Sequence, residues 1–298
     1  MTGWRDDLVG EARQDVAELD AALGLALHHR AYVEALLDPR GRLFQRLEYV
    51  GDSILDAVVL QSLVLLQPWD ERSLELLSDE QQALVSDHAL GAAAGRRGLP
   101  PVRTFQASVH RLADRIEAAV GAAWADSGLA AAEAVATSLV VEPGLRRHAR
   151  RGGPPRAAGD VRYESAARAC GHEPVERAWF GAAAEGGSPR RRLAMVGTAV
   201  LEAATSMAQY VADAEATEAE MSAARRGSTS NAVLAARARE LGLAHAHEDQ
   251  DERSVADEAQ ALVGAAAMDG GTAAGLTVAC AVLRLPLAPG PLPAPADR

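Results

Sequence analysis

Glu48 and Asp52 stand four residues apart in RLEYVGDSIL (46–55), and Asp114 and Glu117 stand three apart in DRIEAAV (114–120). Residues three or four apart share one face of a helix, so each pair presents two carboxylates in one direction. Both pairs interrupt apolar runs. Tyr49, Val50, Ile54 and Leu55 surround the first; Ile116, Ala118, Ala119 and Val120 surround the second. A carboxylate held against a core is costly unless something neutralises it. Four of them converging between two helices would repel each other, and a divalent cation removes that penalty. Ligation by carboxylate oxygens alone suits Mg2+ or Mn2+. Such a centre polarises a phosphodiester and activates water. From spacing alone, four acids on solvated helix faces account for the pattern equally well. His110, four before Asp114, reads as an ordinary interfacial or exposed histidine.

The elements that must position these acids are helices. Residues 16–36 and 44–66 carry apolar positions at helical spacing. Segment 78–99 opens on Ser78 as a cap and closes at Gly98, 107–128 closes at Gly128, and 128–140 follows. No alternation of period two extends over any length, so the expected fold is all-α. Residues 144–160, GLRRHARRGGPPRAAGD, lose the apolar period and read as a linker. The resulting division is one domain over 15–143, the linker over 144–160, a second domain over 161–286 and a Pro-rich tail over 287–298.

The two domains repeat each other. Gly51 matches Gly197, 146 residues on; Leu90 matches Leu234 and Gly98 matches Gly242, each 144 on; Gly121 matches Gly264, 143 on. DRIEAAVGAAWADSG (114–128) pairs with DEAQALVGAAAMDGG (257–271), and RLEYVGDSIL with RLAMVGTAVL (192–201). A near-constant offset over several blocks indicates a tandem duplication of one helical domain.

Bulk composition fits a helical, acidic protein. The 298 residues are 48% hydrophobic with a formal net charge of −11, and all thirty basic residues are arginine. A chain of this charge does not attract nucleic acid as a whole, so binding of that kind needs local arginine patches. Cys170 and Cys280 lack metal-ligand spacing and read as buried thiols. The first fifteen residues hold no apolar h-region, and the longest apolar stretch, 57–66, is too short for a membrane span. A cytoplasmic location is expected.

The motifs carry a family resemblance. RLEYVGDSIL resembles the signature of the ribonuclease III family, DRIEAAVGAAWADSG its second acidic helix, and ALHHRAYVE (26–34) its Thr-His-Arg-Ser-Tyr helix. LSDEQQALVSDHALGAAAGRRGL (77–99) resembles its Leu-Val-Ser-Asn segment. Order and spacing match over about residues 15–143. The resemblance implies an all-α endonuclease domain that cleaves double-stranded or hairpin RNA with Mg2+, leaving a 5′ phosphate and a 3′ hydroxyl. Position by position, Glu48, Asp52, Asp114 and Glu117 match the family's metal-site acids, and Asp52 and Glu117 match the two most closely tied to catalysis. Gln45 departs from the family, which usually has Glu there, and this bears on fine positioning.

The same alignment makes the second half degenerate. Ala194 replaces Glu48, Thr198 replaces Asp52 and Gln260 replaces Glu117, while Asp257 keeps the place of Asp114. Ala offers no ligand and Thr and Gln only neutral oxygens, so no tight Mg2+ site is expected there. The resemblance implies that two such domains pair around an RNA duplex, with the aromatic at Tyr49 packing into the partner and Met195 in the matching place. One chain could thus form an intramolecular pseudo-dimer, as in Dicer-type enzymes, with one half cutting and the other scaffolding. A homodimer through the first halves would restore two centres. Arg190, Arg191, Arg192, Arg225 and Arg226 are candidates for phosphate contact, whereas RRHARR (146–151) reads as linker. No double-stranded-RNA-binding domain is expected after the second half, so affinity for generic duplex should be modest and salt-sensitive. The competing reading is a non-catalytic RNA-binding or assembly protein that reuses the fold; the intact acid quartet argues against it.

Overall fold

The computed structural model describes residues 3–66, 73–99, 109–145, 155–244, 251–287 and 291–292. The regular elements among the described residues are all helical, with no strand, as the absence of period-two patterning requires. They fall into two compact units. The first comprises Met1–Val59, Gln82–Arg147 and Pro289–Arg298; the second comprises Leu60–Gln81 and His148–Ala288. The second unit thus takes in residues 60–66 and 73–81 from the first half of the chain. Most of the linker expected at 144–160 and most of the Pro-rich tail lie outside the described residues.

The helices of the first half are α1 (Gly10–Leu23), α2 (Arg30–Leu37), α3 (Arg42–Leu66), α4 (Leu74–Val85), α5 (Asp87–Arg97), α6 (Val109–Ser127), α7 (Leu129–Ala136) and α8 (Glu142–Leu145). A π-helical turn, Thr137–Val141, joins the last two. Two helices expected as continuous are broken. Gly24 adopts a left-handed conformation (φ 65°), which ends α1 and separates it from α2. Segment 78–99 divides at Ser86, whose hydroxyl accepts the Ala89 amide at 3.4 Å. Ser78 is therefore not the cap: α4 opens on Ser73, whose hydroxyl accepts the Leu76 amide at 3.2 Å. In each case an apolar period continued across a break that only local hydrogen bonding reveals.

The second half contains α9 (Val161–Ala169), α10 (Arg177–Glu185), α11 (Gly187–Ala212), α12 (Glu218–Ser228), α13 (Asn231–Glu240) and α14 (Glu252–Leu283). α14 is long and apolar enough to cross a membrane by length and composition, a feature not expected from the 57–66 run. Most of that stretch is buried inside its unit, and Gly271 (φ 82°) breaks it into two helices. It reads as a core helix, packed along α11 and α13. Both cysteines are free and buried, and burial pushes each thiol up to about 11.

One packing device recurs in both units and sets the position of the site. A Cβ on Gly51 of α3 would lie 1.8 Å from the Glu117 carbonyl oxygen of α6, and one on Gly121 of α6 would lie 2.0 Å from that of Leu47. In the second unit a Cβ on Gly197 would lie 1.8 Å from the Gln260 carbonyl oxygen, and one on Gly264 1.9 Å from that of Leu193. No real Cβ tolerates such distances. The helix pair in each unit approaches backbone to backbone because reciprocal glycines omit the side chains. The four glycines occupy matching places in the two aligned segments, and the two pairs make matching contacts.

Candidate active site

Gly51 lies between Glu48 and Asp52 on α3, and it faces the carbonyl of Glu117 itself. The close approach of α3 and α6 therefore carries the second acidic pair onto the first. Glu48, Asp114 and Glu117 each place a carboxylate oxygen such that all three oxygens lie within 4.8 Å of one another. Asp52, one turn along α3, is not within that tight trio, yet its charge acts on Glu117 more strongly than those of Glu48 and Asp114. All four acids are half-buried. The solvated-face account of these residues does not describe this arrangement.

The electrostatics are those of mutually repelling carboxylates. Burial, followed by the charges of Asp52, Glu48, Asp114 and Asp87, pushes Glu117 up to about 9. At neutral pH and without a cation, Glu117 thus keeps its proton, because burial disfavours its charged form and the neighbouring carboxylates repel it. A divalent ion would reverse this, since it stabilises the carboxylate and displaces the proton. The donor set is carboxylate oxygen throughout, which fits Mg2+ or Mn2+ and disfavours softer metals.

The surroundings hold the two helices in place. Arg115, next to Asp114, turns away from the acids into the core, is 1% exposed and donates from Nε to the Leu36 carbonyl at 3.1 Å. Burial lowers its guanidinium to about 10. At the far end of α6, Asp126 accepts the amides of His28 and His29, both at 2.8 Å, and lies 2.8 Å from His28 Nδ1. Burial alone would raise the Asp126 carboxyl; these donations and that of Ser127 bring it below its ordinary value. This anchor was not singled out in the sequence. The repeat contains its signal, because Asp269 in the matching place accepts the amides of Val175 (2.9 Å) and Glu176 (2.6 Å) and meets His172 Nε2 at 2.8 Å.

In the second unit the corresponding place has no acid cluster. Ala194 is buried, and the Thr198 hydroxyl donates to the Ala194 carbonyl at 2.9 Å. Asp257 is half-buried; burial raises its carboxyl, while Arg253, Arg191 and Arg190 pull the other way. Of the candidate arginines, Arg190 is already engaged, reaching Glu258 at 3.2 Å and the Ala183 and Ala184 carbonyls at 2.8 Å each. Arg192 is buried, Arg225 is half-buried, and Arg191 and Arg226 are exposed. Tyr49 is buried and Met195 half-buried. The side chain of His110 lies outside the described residues.

Residues 45–128 match the family model of the ribonuclease III domain, a stretch that includes all four acids. Residues 45–128 are thus similar to a ribonuclease III domain. Among solved structures the chain resembles Dicer from Giardia intestinalis, with a TM-score of 0.58 at 14% identity over 82% of this chain. A second Giardia Dicer structure, refined against twinned data, gives 0.59 at 15% identity over the same share. The chain spans about half the length of these Dicers, 54% and 55%. At this identity the likeness establishes the all-α ribonuclease III fold. No curated protein sequence matches the chain significantly.

Proposed function

We propose that the chain is a divalent-metal-dependent endoribonuclease acting on double-stranded or hairpin RNA, with one functional centre, in its first half. The supporting observation is the convergence of Glu48, Asp114 and Glu117 within 4.8 Å, with Asp52 acting on the same carboxyl. These residues would hold Mg2+, or Mn2+. When bound, the ion supplies Lewis acidity toward a phosphodiester and lowers the pKa of coordinated water. The chain's own contribution is to bring the acids together through the Gly51–Glu117 approach. Asp52 and Glu117 hold the roles closest to the reacting phosphate, and hydrolysis leaves a 5′ phosphate and a 3′ hydroxyl.

The second half, on this reading, is a scaffolding domain that pairs with the first within one chain, and the protein works in the cytoplasm. The retained glycine pair supports the scaffold part, since Gly197 and Gly264 preserve the fold where the ligands are gone. The test is incubation of the purified chain with an end-labelled RNA duplex and Mg2+. Cleavage that disappears in Asp52→Asn is expected. Binding without turnover by the unaltered protein would instead support a non-catalytic RNA-binding role. A solution mass of twice the chain with RNA bound would replace the intramolecular pairing by a homodimer.

A further inference from the structure

The second unit has more than a gap where the acids stood. Ala194, Thr198, Asp257 and Gln260 all line one cleft of about 1060 Å3, which Arg190, Arg191 and Arg253 also line. We propose that this cleft is a metal-free seat for a phosphate group, in which guanidinium groups take the role that a cation takes among the carboxylates of the first half. The inference rests on the reading of the chain as an RNA-acting protein, and it assigns to the degenerate site a ligand of its own.

The substitutions run in one direction. Three carboxylates became Ala194, Thr198 and Gln260, while Arg190 and Arg191 stand where the first half has Phe44 and Gln45. Arg253 stands in the place of His110. Glu117→Gln260 also changes what the site offers: a carboxylate only accepts hydrogen bonds, whereas a carboxamide N–H2 donates to a phosphate oxygen. A cation site has thus acquired the donors of an anion site.

The arginines differ in availability. Arg190 is half-buried and fixed by Glu258 and two carbonyls, so its charge is held in place. Arg191 and Arg253 are exposed, and among the described residues neither forms a hydrogen bond or an ion pair. The acids at the cleft are Glu75, Asp251 and Asp257. Asp251 is committed to capping α14, accepting the Ser254 amide at 2.6 Å. Asp257 is half-buried; burial raises its carboxyl, and Arg253, Arg191 and Arg190 offset its charge. Two free guanidiniums, one fixed guanidinium and a carboxamide on one cleft match a phosphate, because arginine presents paired donors to its oxygens.

The test uses the full chain in EDTA, so that no metal contributes. Binding of a fluorescently labelled RNA duplex is measured by anisotropy for the unaltered protein, for Arg191→Ala/Arg253→Ala and for Gln260→Glu. Thermal melts check that each variant is folded; both arginines are exposed, so melts should coincide. The double variant should bind about tenfold more weakly, with its salt slope reduced by about one, and Gln260→Glu should weaken binding in the same direction. Unchanged affinity and slope in a folded double variant overturn the proposal. Millimolar inorganic phosphate distinguishes the sources. If it brings the unaltered protein to the level of the double variant, a free phosphate fills the seat; if it does not, the RNA backbone does. Arginine-dependent binding in EDTA by a protein that never cleaves would defeat the nuclease reading alone. Cleavage by a protein whose EDTA binding ignores the arginines would defeat this inference alone.

Discussion

The two halves share one helical scaffold and one pair of reciprocal glycines, yet they gather opposite charges at the same place. In the first, the α3–α6 approach packs Glu48, Asp114 and Glu117 so tightly that Glu117 holds its proton near pH 9. In the second, the α11–α14 approach is equally close, but Ala194, Thr198 and Gln260 leave Asp257 as the one acid in the four matching places, beside Arg190, Arg191 and Arg253. Backbone geometry is therefore necessary for the metal site and does not suffice for it. The glycines are explained by packing in both halves, whereas packing does not explain the acids of the first. On the proposed reading, fold and chemistry depend on different residues of the same helices.

The largest effect that could break this contrast is catalytic. Glu117→Gln or Asp52→Asn should reduce single-turnover RNA cleavage by more than the roughly 10–100-fold that follows loss of an outer-shell partner. Thr198→Ala should leave the rate constant at saturating protein unchanged. Equal losses from the two halves would remove the distinction between them.

The next effect tests the shared scaffold. Gly51→Ala and Gly197→Ala each force backbone apart, and each should cost at least about 1–3 kcal/mol, the range for overpacking a core. Chemical denaturation would show both. Calorimetric titration of Mg2+ should separate them, with affinity lost in Gly51→Ala and kept in a folded Gly197→Ala.

The third is pH dependence. Glu117 is raised above its ordinary 4.5 to about 9. Between these limits the folded, cation-free state keeps a proton that the unfolded chain loses, so this group's contribution makes stability fall as pH rises from 4.5 toward 9. Cation binding must expel that proton. The apparent Mg2+ affinity should therefore rise about tenfold per pH unit in this window if one proton is released. A pH-independent affinity would show that Glu117 is already ionised.

The smallest effect concerns the anchors. Asp126→Ala and Asp269→Ala should each cost about 1–2 kcal/mol, because each removes an acceptor from two amides at a helix entrance. The two losses should be alike, since this device survives in both halves.

Much of this was legible in the sequence, and the limits have physical causes. The acid pairs were visible because helix periodicity puts residues three and four apart on one face. The all-α fold followed from the same periodicity, and the repeat followed from its glycines. What escaped is non-local or locally hydrogen-bonded. Gly24 and Ser86 break helices whose apolar period runs on unbroken. Gly271 divides α14 at the place that Gly128 holds in the first half, a break that the pairing of 114–128 with 257–271 does imply. Asp126 looked like part of a turn, because its partners at His28 and His29 are nearly a hundred residues away. Arg190, Arg191 and Arg192 are alike as candidates for phosphate contact in the sequence, yet the helix directs Arg190 to Glu258 and buries Arg192, leaving Arg191 in solvent. Charge runs do not reveal which members are already engaged.

The central claim is that one half cuts and the other does not. It is tested most directly by Mg2+-dependent digestion of an RNA duplex carrying a different label on each strand, read at single-turnover. The account predicts one strand nicked per bound chain, abolished by Glu117→Gln. Paired cuts in both strands by a monomeric chain, or cleavage that survives Glu117→Gln, would contradict it.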